Sequence, residues 1–290
     1  MLLVLMIGIG YAGYNSFSRG GLPFRSIVRE QINQSVGDYL GTPPTALNCS
    51  VIDDNYVPPK ACLDASGGTA KPLVFIWGDS HTANVSYGFT SDKVAELDIR
   101  LAVAMKGGCP PVIGYQPTTP SQCQAFVDRS LGQIRALKPD VVMLTGEWAL
   151  YFENKKHNPL DAESLITTIA TLKKLGVKKV IVIGCFPVFE INQSKLGRRF
   201  FVTGMKDRTF ERFDTSVDRV DVLVRDLAKK SDVDFISPLD YLCNEDGCLI
   251  SASSTTYVAM AYDLSHMTYP GSQYFVDRAI SKATFSQKTQ

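Results

Sequence analysis

The sequence predicts an α/β fold: a three-layer α/β/α sandwich around a five-stranded parallel sheet. Two observations carry the prediction. Five short aliphatic and β-branched runs recur along the chain: "PLVFIW", "RLAVAM", "DVVMLT", "KVIVIG" and "VDFISP". Runs of that length suit strands buried on both faces, as in a parallel sheet. Stretches with helical periodicity lie between them, and alternating strands and helices with right-handed crossovers give a sheet covered on both sides.

The elements follow in order. Residues 1–18 of "MLLVLMIGIGYAGYNSFSRGG" are apolar, with no charge before Arg19. The run is shorter than the roughly 20 residues a spanning helix needs, and it lacks the basic start of a signal peptide. Three readings fit: a signal anchor or atypical signal peptide, the end of a longer membrane protein's last transmembrane helix, or a buried helix of the domain. A membrane-associated helix, the end of a transmembrane segment, is the expectation. Arg19, Arg25 and Arg29 follow it and weakly favour a cytoplasmic carboxyl side. The cysteines argue the other way. Residues 19–70 read as a linker or extension. Within them "VREQINQSVGDYL" suggests a short amphipathic helix, and the Pro-bearing stretch from Gly41 to Pro72 an irregular segment held by a disulfide.

Residues 71–290 form the regular domain. "TANVSYGFTSDKVAEL" is the expected helix after the first strand, and "QCQAFVDRSLGQIRAL" the one before the third. "DAESLITTIATLKKLG" precedes the fourth strand and ends in a Lys-Lys-Leu-Gly stop. "TFERFDTSVDRVDVLVRDLAKKS" precedes the fifth, and "PGSQYFVDRAISKA" closes the pattern with Pro270 in its first turn.

The chain has 290 residues, 45% hydrophobic and 20% charged, with a formal net charge of +1. No global field attracts nucleic acid, so nucleic acid is not an expected partner. The most basic patch, "SKLGRRF" around Arg198 and Arg199, reads as a solvated loop. Of seven cysteines, Cys185 ends the apolar run "VIVIGC" and reads as a buried free thiol. The other six lie in polar or Pro-containing surroundings. Proximity suggests Cys49–Cys62, Cys109–Cys123 and Cys243–Cys248, although sequence alone does not choose among pairings. There is no CxxC, and the three histidines do not stand at ligand spacing from these cysteines, so no metal is expected. Paired cysteines imply an oxidising compartment.

Ligands of open parallel sheets bind at the carboxyl ends of the strands. Ser80, in "FIWGDSHTANVS", follows the end of the first strand. It is read either as a helix cap beside Asp79 or as a nucleophile, which needs a base and a group to orient that base. His81 is adjacent in sequence, so its side chain diverges from Ser80. His157, in "ENKKHNP", reads as a solvated surface residue. His266 lies in "YDLSHMTYPGS" with Asp263 three positions before it. In a turn that spacing lets the carboxylate reach Nδ1–H and leaves Nε2 free to take a proton. The plainer reading is an Asx-type turn before a helix.

Together these elements resemble the SGNH/GDSL family of esterases and acyltransferases, over Pro72 to Ala283. The resemblance implies the flavodoxin-like SGNH fold, with Ser80 as nucleophile, His266 as general base and Asp263 as its orienting acid. It implies an oxyanion hole from the Ser80 N–H and from Gly107 or Gly108 in "RLAVAMKGGCPP". After the third strand, where the family has an Asn-Asp block, stand Glu147 and Trp148, and Trp has only an N–H to donate. "GDSH", "CPP", that Trp and "DLSH" look like the SGNH domains fused to integral-membrane O-acyltransferases of the acyltransferase-three type, which acylate surface polysaccharides such as O-antigen.

That likeness implies a membrane-anchored, periplasmic domain that transfers an acyl group, acetyl foremost, through acyl-Ser80 to an envelope carbohydrate. A membrane acyltransferase domain would deliver the acyl group, and no bound cofactor is implied. His81, Asn84, Glu147 and Trp148 are the substrate-pocket candidates. Two other functions stay open: an esterase or deacetylase on envelope glycans, and a non-catalytic glycan-binding module.

Overall fold

The computed structural model describes residues 2–18, 47–52, 60–63, 71–117, 122–153, 159–191, 193–202, 206–210 and 213–285. In chain order the elements are α1 (Leu2–Ser18), α2 (Lys60–Leu63), β1 (Leu73–Gly78), α3 (Thr82–Ser86), α4 (Ser91–Leu97) and β2 (Arg100–Met105). Next come α5 (Cys123–Leu137), β3 (Val141–Thr145), α6 (Trp148–Glu153), α7 (Ala162–Lys174), β4 (Lys179–Ile183), α8 (Gln193–Val202) and β5 (Arg208–Thr209). The last are α9 (Ser216–Lys230), β6 (Asp234–Ile236), α10 (Pro238–Leu242), β7 (Cys243–Asn244), β8 (Gly247–Leu249), α11 (Tyr269–Ala279) and α12 (Lys282–Phe285).

The expected five-stranded parallel sheet is present, in the order β2-β1-β3-β4-β6. Its strands carry apolar side chains on both faces because both faces are covered. Phe75, Trp77, Val142 and Leu144 enter one core, with side chains of α5, α7 and α9. Val74, Ile76, Val141 and Met143 enter the other, with side chains of α3, α4 and α11. Side chains alternate faces along a strand, so each buried run feeds two cores at once. The strand order reverses between β1 and β3. That switch point is where open α/β sheets leave a crevice at the strands' carboxyl ends.

Several expectations need correction. The stretch after β1 is two helices, not one. The chain breaks around Gly88, where an added Cβ would collide with the Val276 side chain and the Ser272 carbonyl of α11. Thr90 then caps α4 by accepting the Lys93 N–H (3.1 Å). "SKLGRRF" is not a loop but part of α8. Leu196 and Phe200, one turn apart, are buried under that helix, while Arg198 stays exposed. The helix before the fifth parallel strand starts only at Ser216, because Thr209 belongs to β5. A small antiparallel sheet, β5-β8-β7, was not anticipated.

The three proximal disulfides are formed, and Cys185 is free and buried. Cys243–Cys248 closes the β7–β8 hairpin. Within the stretch expected to be irregular, Cys49–Cys62 anchors residues 47–52, which run beside β2. Val51 N–H donates to Val103 O (3.0 Å) and Val103 N–H to Cys49 O (2.8 Å), extending the sheet beyond β2. The amphipathic helix expected over 28–40 lies outside the described residues, as does His157. Helix α1 is apolar over 17 residues, and no helix among the described residues is long and apolar enough to cross a membrane.

Candidate active site

The site forms at the switch point. β1 ends in Gly78 because nothing larger fits: an added Cβ would strike the carbonyl oxygen of Thr145 at the end of β3. The chain then turns through Asp79, Ser80 and His81 into α3. Asp79 is buried and holds this turn to the neighbouring strand. Its Oδ1 accepts the His81 N–H (2.8 Å), while Oδ2 accepts the Glu147 N–H (2.9 Å) and the Tyr151 hydroxyl (2.6 Å). Burial pushes its carboxyl up, against those three hydrogen bonds. Asp79 thus closes an Asx-type turn ahead of α3, whose N-cap His81 makes no side-chain capping bond, and Ser80 Oγ is left to another partner.

That partner is His266, whose Nε2 lies 2.8 Å from Ser80 Oγ. On the other side of the ring, Nδ1 lies 2.7 Å from Asp263 Oδ2. Both readings of Asp263 hold together. Its Oδ1 makes the Asx-type turn, accepting the N–H groups of Ser265 (2.9 Å) and His266 (2.7 Å), and its Oδ2 takes the imidazole. Burial raises the Asp263 carboxyl, but the hydrogen bonds from His266 and Ser265 outweigh it and hold the group below its ordinary range. The same bond to Asp263 raises His266, against burial. Tyr262 stacks on the His266 ring at 5.7 Å. The His266 side chain is 21% exposed and that of Asp263 44%, so the base remains open to solvent.

The loop carrying Asp263 and His266 is stapled to α3. The buried Asn84 donates from Nδ2 to Ser265 O (3.1 Å) and accepts the Met267 N–H at Oδ1 (2.8 Å). After the loop, Thr268 caps α11 by accepting the Gly271 N–H.

Three of the four pocket candidates lie in the interior. Trp148 is fully buried, and its Nε1–H donates to Ile183 O (2.7 Å), so α6 is tied to β4. Asn84 is buried and engaged as above. His81 is buried with Nε2 3.2 Å from Ser265 Oγ. Desolvation, then the nearby His266, lower its pKa to about 3, which keeps it neutral. Glu147 alone reaches the surface, with a side chain 23% exposed. Burial and the Asp79 charge raise its pKa to about 7. Gly107 and Gly108 form an exposed turn after β2, tied to β1 by the Lys106 N–H to Gly78 O bond (3.2 Å). Gly108 takes φ +70° there, a conformation glycine adopts readily.

Sequence reasoning missed Ser265, Tyr262 and Tyr151. Tyr262 precedes the Asp-x-x-His motif and Ser265 lies inside it. Tyr151 stands one helical turn past Glu147, with no sequence signal that it would reach Asp79.

Comparison with known proteins adds to this geometry. The family described as the SGNH domain fused to AT3 domains matches residues 48–280. Among solved structures, the periplasmic domain of the lipopolysaccharide acetyltransferase of Salmonella ser. Paratyphi A superposes with a TM-score of 0.63 at 20% identity, covering 87% of this chain and 94% of that one. A GDSL-like lipase from Bacteroides thetaiotaomicron has a TM-score of 0.41 at 14% identity, covering 74% of this chain and 87% of that one. Comparison with curated protein sequences gives no match. With a family match that takes in the whole sheet, the Ser80 turn and the Asp263–His266 loop, the chain belongs to the SGNH domain family described as fused to AT3 domains.

Proposed function

We propose that this domain transfers an acyl group, acetyl foremost, to a hydroxyl of a cell-envelope polysaccharide through an acyl-enzyme on Ser80. The observation that carries the reading is the unbroken chain Asp263 Oδ2–His266–Ser80 Oγ, with both links under 3 Å (2.7 and 2.8 Å). Asp263 fixes the tautomer with hydrogen on Nδ1, so Nε2 accepts the Ser80 proton as Oγ attacks the donor's carbonyl carbon. The developing oxyanion takes the Ser80 N–H and an N–H of the Gly107–Gly108 turn. His266 returns the proton to the leaving group, and acyl-Ser80 remains. In the second half, His266 takes the proton of an acceptor hydroxyl, whose oxygen attacks the ester, and Ser80 Oγ recovers its hydrogen.

Family membership supports acyl chemistry alongside a membrane acyltransferase domain that delivers the acyl group. The three disulfides favour a periplasmic setting. The Salmonella domain named above supports an envelope glycan as acceptor. An esterase reading stands beside this one because the exposed part of His266 admits water as a rival acceptor. A purely glycan-binding module would have no need of the ordered proton path.

The test is covalent. A fluorophosphonate is expected to label Ser80 in the folded chain. His266→Ala should abolish labelling, and His157→Ala should retain it. A folded wild-type chain that does not label would refute both enzyme readings. Release of acetate that no carbohydrate acceptor redirects would favour the esterase.

A further inference from the structure

A groove of about 280 Å³, lined by Glu147, Ala149, Leu150, Glu153, Val188, Asp214 and Ser216, borders the loop that carries Asp263 and His266. Its size, near the lower end of small-molecule pockets, suits one residue of a glycan. Two links join it to the loop 263–266. Ser265 Oγ donates to Glu147 Oε1 (3.4 Å). Beside Val188, the Phe189 N–H donates to Leu264 O (2.9 Å).

The other carboxylates here are committed. Glu153, also on the groove, pairs with Arg219 (2.8 and 3.2 Å), and Asp214 Oδ1 takes the Ser216 N–H (2.8 Å). Glu147 is held from behind. His81 Nδ1 is buried with no partner among the described residues. Orphaned buried N–H groups are rarer than under-satisfied acceptors, so the proton sits on Nε2 and points at Ser265 Oγ, 3.2 Å away. Ser265 then donates onward to Glu147. A relay from the residue next to Ser80 therefore orients a carboxylate that faces the groove.

We propose that this groove is the acceptor subsite, and that Glu147 accepts a hydrogen bond from a hydroxyl of an uncharged sugar residue, turning a neighbouring hydroxyl toward His266. The inference rests on the acyl-Ser80 reading above. Ala149, Leu150 and Val188 offer an apolar surface to the C–H face of a sugar ring. Glu147 and Ser216 offer polar atoms to its hydroxyls. Above its pKa of about 7 Glu147 is an anion, and a carboxylate so placed repels an anionic sugar, which is how a site selects against a near-relative of its substrate.

The experiment follows how the acyl-enzyme partitions. The chain is acetylated with p-nitrophenyl acetate while methyl glucoside or methyl glucuronide is present, and acetylated sugar is measured against free acetate. Both products come from one acyl-Ser80, so their ratio does not depend on how fast it forms. The wild-type chain is expected to transfer to the glucoside in preference to the glucuronide. In Glu147→Gln the transfer-to-hydrolysis ratio for the glucoside should fall about tenfold, as for loss of one charge-assisted hydrogen bond. If that variant does not fold, Leu150→Arg, which fills the groove, should lower the ratio likewise. An unchanged ratio in the folded variant overturns the inference. So does a wild-type acyl-enzyme that hydrolyses without transferring, which leaves the Ser80 chemistry standing. A wild-type chain that forms no acyl-Ser80 overturns the reading beneath it as well.

Discussion

At the scale of single residues, charge decides when the site can work. In the proposed mechanism His266 accepts the Ser80 proton only when neutral, and its bond to Asp263 raises its pKa above the ordinary 6.5. Acylation is therefore expected to fall as pH is lowered through a midpoint above 6.5. A pH–rate profile with a chromogenic ester checks this, and a midpoint at or below 6 would contradict the pairing. Asn84 is the residue whose loss should spread furthest. Asn84→Ala strands the buried Met267 N–H and leaves Ser265 O without its donor. At roughly 1–3 kcal/mol per stranded group, denaturant titration should show a loss of about 2–6 kcal/mol, with slower Ser80 labelling in the folded fraction. The Asp263–His266 pairing was legible in the sequence, because Asp-x-x-His states a local geometry. The meeting of His266 with Ser80, 186 positions away, was implied only by the family resemblance. The setting of Glu147 was not legible. It depends on Ser265, 118 positions away, and no local pattern encodes such a meeting.

Among the elements, helix ends and strand ends do the positioning. Helix α11 begins immediately after His266 and is capped by Thr268. Thr268→Ala should cost about 1 kcal/mol and lower the melting temperature by about 2–4 °C, read by circular dichroism. Gly78→Ala should do far more, since its Cβ would prise the end of β1 from Thr145. Little folded protein is expected at growth temperature. The strands could be read from sequence because burial on both faces leaves an unbroken apolar run. The split between α3 and α4 could not, because the reason for Gly88 is the close approach of α11, nearly 190 positions later. Helix α8 was hidden for a similar cause. Its basic residues suggested solvent, while the two residues that bury it, Leu196 and Phe200, mean little until the neighbouring elements exist.

For the whole molecule, the cross-links are a structural frame around one unreacted sulfur. Cys49–Cys62 and Cys109–Cys123 close loops with sequence separations of 13 and 14, for which chain-entropy arguments give about 3 kcal/mol each. Reduction should therefore lower the unfolding midpoint, and a midpoint indifferent to reductant would contradict the pairing. Cys185 is 3% exposed, and burial raises its thiol pKa. A thiol reagent should find no reactive group in the folded, unreduced chain and one after unfolding.

Ser80 and His266 are 186 positions apart, and this separation has a consequence for synthesis. A ribosome must deliver nearly all of the domain before the serine meets its base. On the acyl-Ser80 reading, the emerging chain until then carries a hydroxyl no more reactive than any other, so it spends no activated acyl groups while it is being made. A chain cut short before His266 stays inert for the same reason, whatever else of it folds.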